Sequence, residues 1–227
     1  MSYYLSNLHA IPDGSDSPSR LALSARRLGY SGIVICNHTG LDSAFGPEAA
    51  KNIRRIDVAW GIEVVSASTK GLQNQISSVR DQVDFLSVHG GTEVINRAAC
   101  EDPSVDMLAH PDCCGQSLSI AAVRAASQNE VAIGFDLRPM IQLRGGPRSK
   151  WLTIFRRNLE LARKFDLEMI INTDARSHLD LRAPREMITL AKLAGMEQEE
   201  AEAALMYPQN IIELNRKRWA GPGVELL

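Results

Sequence analysis

Seven short apolar runs alternate with stretches of helical length along this 227-residue chain, and that alternation restricts the fold more than any other feature. The runs are Tyr3–Leu8, Gly32–Asn37, Asp57–Val65, Phe85–Val88, Met107–Ala109, Val131–Asp136 and Met169–Asn172. They are rich in Val and Ile, as strands buried on both faces of a parallel sheet must be. The expected helices are Ser17–Leu28, Pro47–Arg55, Asn74–Val83, Thr92–Ala99, Ser119–Gln128, Lys150–Phe165, Pro184–Leu193, Gln198–Met206 and a last one near Asn210–Lys217. Strands separated by helices define an α/β fold with a parallel sheet. No GxGxxG follows the first strand, so a dinucleotide-binding open sheet has no positive support. The length suits one β/α barrel of about 250 residues. The expectation is therefore a TIM-like β/α barrel with about seven parallel strands ringed by helices. Residues 1–220 form its single domain, and Gly221–Leu227 a loose tail. Gly145-Gly146-Pro147 reads as a long exposed loop after the sixth strand, carrying Arg144, Arg148 and Lys150.

The polar residues favour the barrel. Four of the five histidines, His9, His38, His89 and His110, fall at or just beyond the C-terminal end of an expected strand. Glu63 lies in the third strand, Asp136 ends the sixth, and Asp174 follows the seventh. In a β/α barrel these ends converge on the ligand-binding face. His9, His38, Glu63, His89, His110 and Asp174 are thus a candidate metal set, of a nitrogen–oxygen mixture that suits Zn, Fe or Mn.

Charge sets a second constraint. The chain carries a net −2, yet Arg138 to Lys192 holds 12 Lys and Arg against 6 Asp and Glu, nine of the twelve being Arg. Met1 to Ser127 holds 10 against 13. Such asymmetry marks either a polyanion-facing surface or a set of solvated helix faces. Aromatic residues make up 5%, so the core must be built mainly from Ile, Leu, Val, Ala and Met. Cys36, Cys100, Cys113 and Cys114 form no CxxC pair, which fits a reduced intracellular protein. With no N-terminal leader pattern and no apolar run near the ~20 residues of a membrane span, a cytoplasmic location and no membrane partner are expected.

The strand-end motifs resemble those of the polymerase-and-histidinol-phosphatase superfamily, metal-dependent phosphoesterases built on a distorted seven-stranded β/α barrel. Asn7-Leu8-His9-Ala10-Ile11, Cys36-Asn37-His38, Gly61-Ile62-Glu63, Ala109-His110-Pro111 and Asp174-Ala175-Arg176-Ser177 match its motifs in order. Two expected histidines are replaced, by Ile11 and Arg176. An arginine cannot deprotonate and would repel a nearby ion. The resemblance implies a metal-dependent phosphoesterase, a barrel that keeps a residual metal site, or one whose site Ile11 and Arg176 have abolished.

A longer series of motifs is similar to the ribonuclease P protein component 3 family, archaeal counterparts of the eukaryotic thirty-kilodalton subunit. It runs through Val131-Ala132-Ile133-Gly134-Phe135-Asp136-Leu137-Arg138-Pro139, the stretch from Arg157 to Phe165, and Thr173-Asp174-Ala175-Arg176-Ser177. It continues through Asp180 to Glu186 and Met206-Tyr207-Pro208-Gln209-Asn210-Ile211-Ile212, with Ala25 to Ile33 fitting earlier. This resemblance implies a subunit with no chemistry of its own in the enzyme that removes the 5′ leader of precursor tRNA. The RNA would carry the cleavage with bound Mg, and the subunit itself would require no cofactor. Implied partners are ribonuclease P RNA, precursor tRNA through the complex, and component 2, as a heterotetramer. Within that reading the candidate RNA contacts are Arg138, Arg144, Arg148, Lys150, Arg176, Arg182 and Arg185. Arg offers bidentate phosphate contacts that Lys cannot, and Arg182 and Arg185 flank a proline placed to open a helix.

Overall fold

In strand β2 (Gly32–His38), Ile33 and Ile35 point outward to the helices, while Val34 and Cys36 point into the barrel. That period of two recurs around the sheet and divides the apolar residues between two cores. The computed structural model describes residues 2–41, 53, 55–112, 115–221 and 224–225. Strands β1 (Tyr4–Leu8), β2, β3 (Asp57–Val64), β4 (Phe85–His89), β5 (Met107–Ala109), β6 (Ala132–Asp136) and β7 (Met169–Asn172) pair in sequence order, each parallel to the next. Between them stand helices α1 (Pro18–Leu28), α2 (Thr69–Val79), α3 (Glu93–Cys100), α4 (Ile120–Asn129), α5 (Arg138–Gln142) and α6 (Gly145–Lys164). Helices α7 (Pro184–Ala194) and α8 (Gln198–Arg218) follow β7. A short antiparallel pair, β8 (Trp219–Gly221) and β9 (Val224–Glu225), comes last.

The barrel is nearly closed. Past the ends of β1 and β7 the chain is tied by His9 N–H to Ala175 O at 2.9 Å and Ser15 N–H to Arg176 O at 2.6 Å. The inner core is Tyr4, Val34, Cys36, Ala59, Phe85, Met107, Ala109, Ala132 and Ile170, with Ile211 and Ile212 of α8 as a plug from the N-terminal side. The larger outer core lies between sheet and helices. Helices α1, α2, α3 and α4 begin at Ser17, Ser68, Thr92 and Ser119, whose hydroxyls accept backbone N–H bonds. Each such cap is worth about 1 kcal/mol over alanine.

The seven expected strands form, with ends that agree to within a residue. Three other expectations are corrected. Gly145-Gly146-Pro147 is no loop but the first turn of the 20-residue α6, where a proline interrupts no intrahelical bond. The helix expected over Asn74–Val83 is α2, which starts at Thr69 because Ser68 caps it, and at Gly71 a Cβ would lie 2.8 Å from Ser66 Oγ. Its end is a separate 3-10 turn over Arg80–Gln82. The two C-terminal helices are one: α8 runs through Pro208, held by the burial of Ala204, Leu205, Ile211 and Ile212 on either side. The helix expected over Pro47–Arg55 lies outside the described residues except for Ile53 and Arg55. Among the described residues no helix is long and apolar enough to cross a membrane. Cys36 and Cys100 are buried and unpaired, and Cys113 and Cys114 lie outside the described residues.

Candidate functional site

Alternation along the strands decides what reaches the mouth of the barrel. In β3, Ala59 and Gly61 face inward, and so does Glu63 at the C-terminal end. At Gly61 any Cβ would sit 2.7 Å from Cys36 Sγ, so the level below Glu63 is packed shut. His38, His89, His110 and Asp136 arrive at the same level from β2, β4, β5 and β6, and His9 and Asp174 from beyond β1 and β7. All six candidate metal residues therefore meet in one place. The four imidazoles form a continuous run, with ring centres 4.8, 5.3 and 4.8 Å apart from His9 through His38 and His89 to His110.

The cluster is bound internally by charge. His9 is buried and donates from both ring nitrogens, Nδ1 to Asp13 Oδ2 at 2.8 Å and Nε2 to Asp174 Oδ1 at 2.7 Å. Burial pushes this imidazole down, but the bonds to Asp13 and Asp174 and the charge of Glu63 outweigh it and raise its pKa to about 9. His110 Nε2 lies 3.5 Å from Asp174 Oδ1 and 3.8 Å from Glu63 Oε1. Burial lowers its pKa as well, and Asp174, Glu63 and Asp136 together lift it to about 9. Burial would raise Asp13 and Asp174; hydrogen bonds from His9 and the His38 amide hold Asp13, and His110 and His9 hold Asp174, well below the usual carboxylate range. Glu63 is also held below its ordinary value, by His89 and His110 against the cost of burial. Asp136 goes the other way, pushed up to about 7 by burial that His110 only partly offsets.

Asp13 is the residue that the motifs did not single out. Its Oδ2 accepts from His9, from His38 Nδ1 at 2.7 Å and from the His38 amide at 2.9 Å. The chain brings it there through a tight turn, with Asp13 N–H and Gly14 N–H both donating to Ala10 O. Only glycine fits at position 14, where a Cβ would lie 1.9 Å from the carbonyl oxygen of His9. Ile11 is 41% exposed and brings no polar side-chain atom to the cluster.

The donor set fits a divalent ion. His38 Nε2 lies 3.4 Å from His89 Nδ1 and 3.7 Å from Glu63 Oε1, and His110 Nε2 is 3.8 Å from the same oxygen. Tetrahedral Zn with bonds of about 2.05 Å has ligand–ligand edges of about 3.3 Å. Two triads have their ligand atoms within 4.8 Å of one another, His9–His38–Glu63 and Glu63–His89–His110, with Glu63 common to both. Glu63 Oε2 is buried with no hydrogen-bond partner, an acceptor poised for a cation. Asn7, His110 and Asp174 hold left-handed backbone, φ 57°, 47° and 43°, at three of the seven strand ends.

The seven candidate RNA contacts fall into three groups around this mouth. Arg138 and Arg176 stand over the cluster. Arg138 Nη1 donates to Asp174 Oδ2 at 2.8 Å, and Arg176 Nη1 to Asp13 Oδ1 at 3.2 Å. Arg144 and Arg148 donate to carbonyls at the end of α5, with Lys150 exposed in the first turns of α6. Arg182 donates to Leu179 O and Leu181 O, and Arg185 follows Pro184 at the start of α7. Arg182 and Arg185 of the third group line a surface cleft of about 390 Å³ with Ile141, Glu186, Thr189 and Leu190, and Arg144 Nη1 of the second group donates to the Ile141 carbonyl at 2.6 Å. Among the described residues the side chains of Lys150 and Arg185, both exposed, have no hydrogen-bond or ion-pair partner.

The β/α barrel of seven parallel strands is a fold shared with solved phosphatase and amidohydrolase structures. The zinc-bound histidinol phosphate phosphatase of Lactococcus lactis superposes with a TM-score of 0.58 at 16% identity, over 86% of this chain and 95% of that one. Within that architecture the chain belongs to the RNase P subunit p30 family, whose model matches residues 3–220. Ribonuclease P protein component 3 of Methanosarcina mazei is 41% identical over 218 residues, covering 95% of this chain and 90% of its own. The protein of the same name from Methanococcoides burtonii is 40% identical over 229 residues, covering 99% and 94%. A chain in the cryo-EM structure of archaeal ribonuclease P with mature tRNA shares the fold, with a TM-score of 0.83 at 24% identity over 98% of this chain and 97% of that one.

Proposed function

We propose that this chain serves ribonuclease P through the C-terminal face of its barrel, where arginines grip RNA phosphates around a pocket that holds an ion rather than cleaving RNA. As a p30 family member it is a protein subunit of that tRNA-processing enzyme. One observation carries the finer reading: the candidate cations, scattered over 48 residues from Arg138 to Arg185, all lie in the two segments that leave the C-terminal ends of β6 and β7. Phosphate neutralisation by several such groups is the dominant source of RNA affinity. Cleavage is left to the RNA and its Mg ions. Component 2 would pair with this chain as a heterotetramer, and exposed apolar side chains such as Val94, Leu193 and Leu214 are available for such pairing. Multi-angle scattering of the two co-purified proteins tests that stoichiometry.

Glu63, His38, His89 and His110 would hold the ion, which when bound supplies positive charge at the centre of the mouth. Arg138 and Arg176, salt-bridged to the two aspartates, close off the carboxylates that a hydrolytic site would keep open. The reading therefore predicts bound Zn, Mn or Fe without phosphatase activity. Elemental analysis of the purified protein, with a phosphomonoester assay beside it, tests this. Turnover abolished by His38→Ala would instead establish a phosphoesterase. For RNA, reconstitution with Arg138→Ala, Arg176→Ala and Arg185→Ala combined should raise the Mg concentration needed for pre-tRNA cleavage. Wild-type behaviour at all Mg concentrations would sink the assignment of this face.

A further inference from the structure

We propose that Arg138 and Arg176 are exchangeable counter-ions which couple RNA binding to metal binding in the pocket beneath them. The proposal deepens the reading above and rests on its two parts, the RNA-facing rim and the ion at Glu63. Asp174 Oδ2 lies 2.8 Å from Arg138 Nη1 and 3.8 Å from Arg176 Nε, and Asp13 Oδ1 lies 3.2 Å from Arg176 Nη1. The partners differ sharply in reach. The carboxylates of Asp13 and Asp174 are only 5% and 8% exposed, whereas the guanidinium side chains are 29% and 38% exposed. A phosphate arriving from solvent thus meets the arginines before it can meet the carboxylates.

A phosphate oxygen competes directly for those donors, because guanidinium binds phosphate in the same bidentate manner as carboxylate. If the arginines turn to RNA, Asp13 and Asp174 lose their cations while still buried. A buried carboxylate without a counter-charge is costly, and the pocket must regain positive charge. A divalent ion between Glu63 and the imidazoles of His38, His89 and His110 supplies it, a few ångströms from Asp174. In the free subunit the relation is reversed. The two guanidiniums already neutralise the aspartates, and their charge opposes entry of a metal. Each ligand then strengthens the other, and by linkage the two effects are equal in size. The arrangement also accounts for Arg176 at a motif position where a histidine is expected.

Cobalt(II) is a suitable probe, since imidazole coordination in a four- or five-coordinate site gives visible absorption far stronger than that of RNA-bound, six-coordinate cobalt. The full chain is titrated with cobalt as wild type, as Arg138→Gln, as Arg176→Gln and as the double variant. The wild type and double variant are then titrated within the complex of ribonuclease P RNA and the remaining protein subunits. The expected result is cobalt affinity on the order of tenfold tighter in the double variant, and similarly tighter in the wild type once RNA is bound. RNA should add nothing to the double variant. Equal cobalt affinity with and without RNA in the wild type overturns the exchange while leaving the metal site intact. No imidazole-type absorption under any condition removes the metal site, and the coupling with it. The wild-type arm needs no substitution, so a poorly folding variant does not blunt the test.

Discussion

The two ends of the barrel solve the same problem in opposite ways. Both carry buried charge. At the N-terminal end Asp106 accepts from Arg80 Nη1 at 2.8 Å, from the Leu86 amide at 2.7 Å and from Asn215 Nδ2 at 3.0 and 3.1 Å. Arg216 of α8 then bridges Asp57 and Asp84, and Tyr4 donates to Asp57. One buried atom there, Arg80 Nη2, lacks a partner. At the C-terminal end Glu63 Oε2, Arg138 Nε, Asn7 Nδ2 and Asn37 Nδ2 all lack one. Polar contacts that leave a single buried atom unpaired fasten α8 across the barrel at one end. Unsatisfied contacts at the other leave groups free to take a ligand. The difference follows the division of labour in β/α barrels, with stability at the bottom and chemistry at the top.

The sharpest way to break this comparison is Asp106→Ala. It would strand Arg80, whose side chain is 9% exposed, and release Asn215. Breaking a buried pair in this way costs about 3–5 kcal/mol. Urea unfolding should show that loss as a lower midpoint at unchanged slope. The folded fraction should still support pre-tRNA cleavage. A loss below about 1 kcal/mol would show that the bottom network fastens nothing.

The next effect in size belongs to the mouth and is read through pH. The pKa of His9 is raised from its ordinary 6.5 to about 9, so its stabilising contribution is complete below about 6.5 and is lost as pH rises through 9. Asp13 and Asp174 are lowered, so their contributions are present above about 3.8 and are lost as pH falls. Metal-free protein in chelator should therefore lose on the order of 3 kcal/mol through His9 between pH 6.5 and 9.5. His9→Gln should flatten that fall. With metal added the trend should weaken, because ligand binding requires deprotonated imidazole. A pH-independent unfolding energy over this range in the metal-free wild type would mean that the cluster is not the internally neutralised network described above.

How far the sequence foretold each end differs too. The strand-end histidines, Glu63 and Asp174 were legible because one rule, that strand C-termini converge in a barrel, applies position by position. Asp13 was not, because it comes from a turn whose path depends on Gly14 passing against the His9 carbonyl. The bottom network was invisible for a similar reason. Asp106 and Asn215 are 109 residues apart, and nothing local announces that α8 continues through Pro208 to bring them together. Gly145-Gly146-Pro147 misled in the other direction. Residues that break a helix interior are tolerated in its first turn, and composition alone does not tell the two apart.

The smallest expected effect sharpens the comparison at the rim. Lys150 and Arg185 are exposed. Lys150→Ala and Arg185→Ala should change stability by less than about 0.5 kcal/mol, as for surface positions in general. Their effect should fall instead on RNA affinity, and in a particular form. Each lost phosphate contact reduces the slope of log K against log salt by about 0.7 to 0.9, depending on whether the RNA is single- or double-stranded. Filter binding of the assembled enzyme over a KCl series reads this directly. Arg97→Ala is the control, an exposed arginine paired with Glu101 on α3, well outside the basic segment. If Arg97→Ala and Arg185→Ala alter the slope equally, the cations act only through net charge and the C-terminal face has no special claim on RNA. If only the rim substitutions alter it, phosphates sit on that rim, beside the pocket whose charges are still available for exchange.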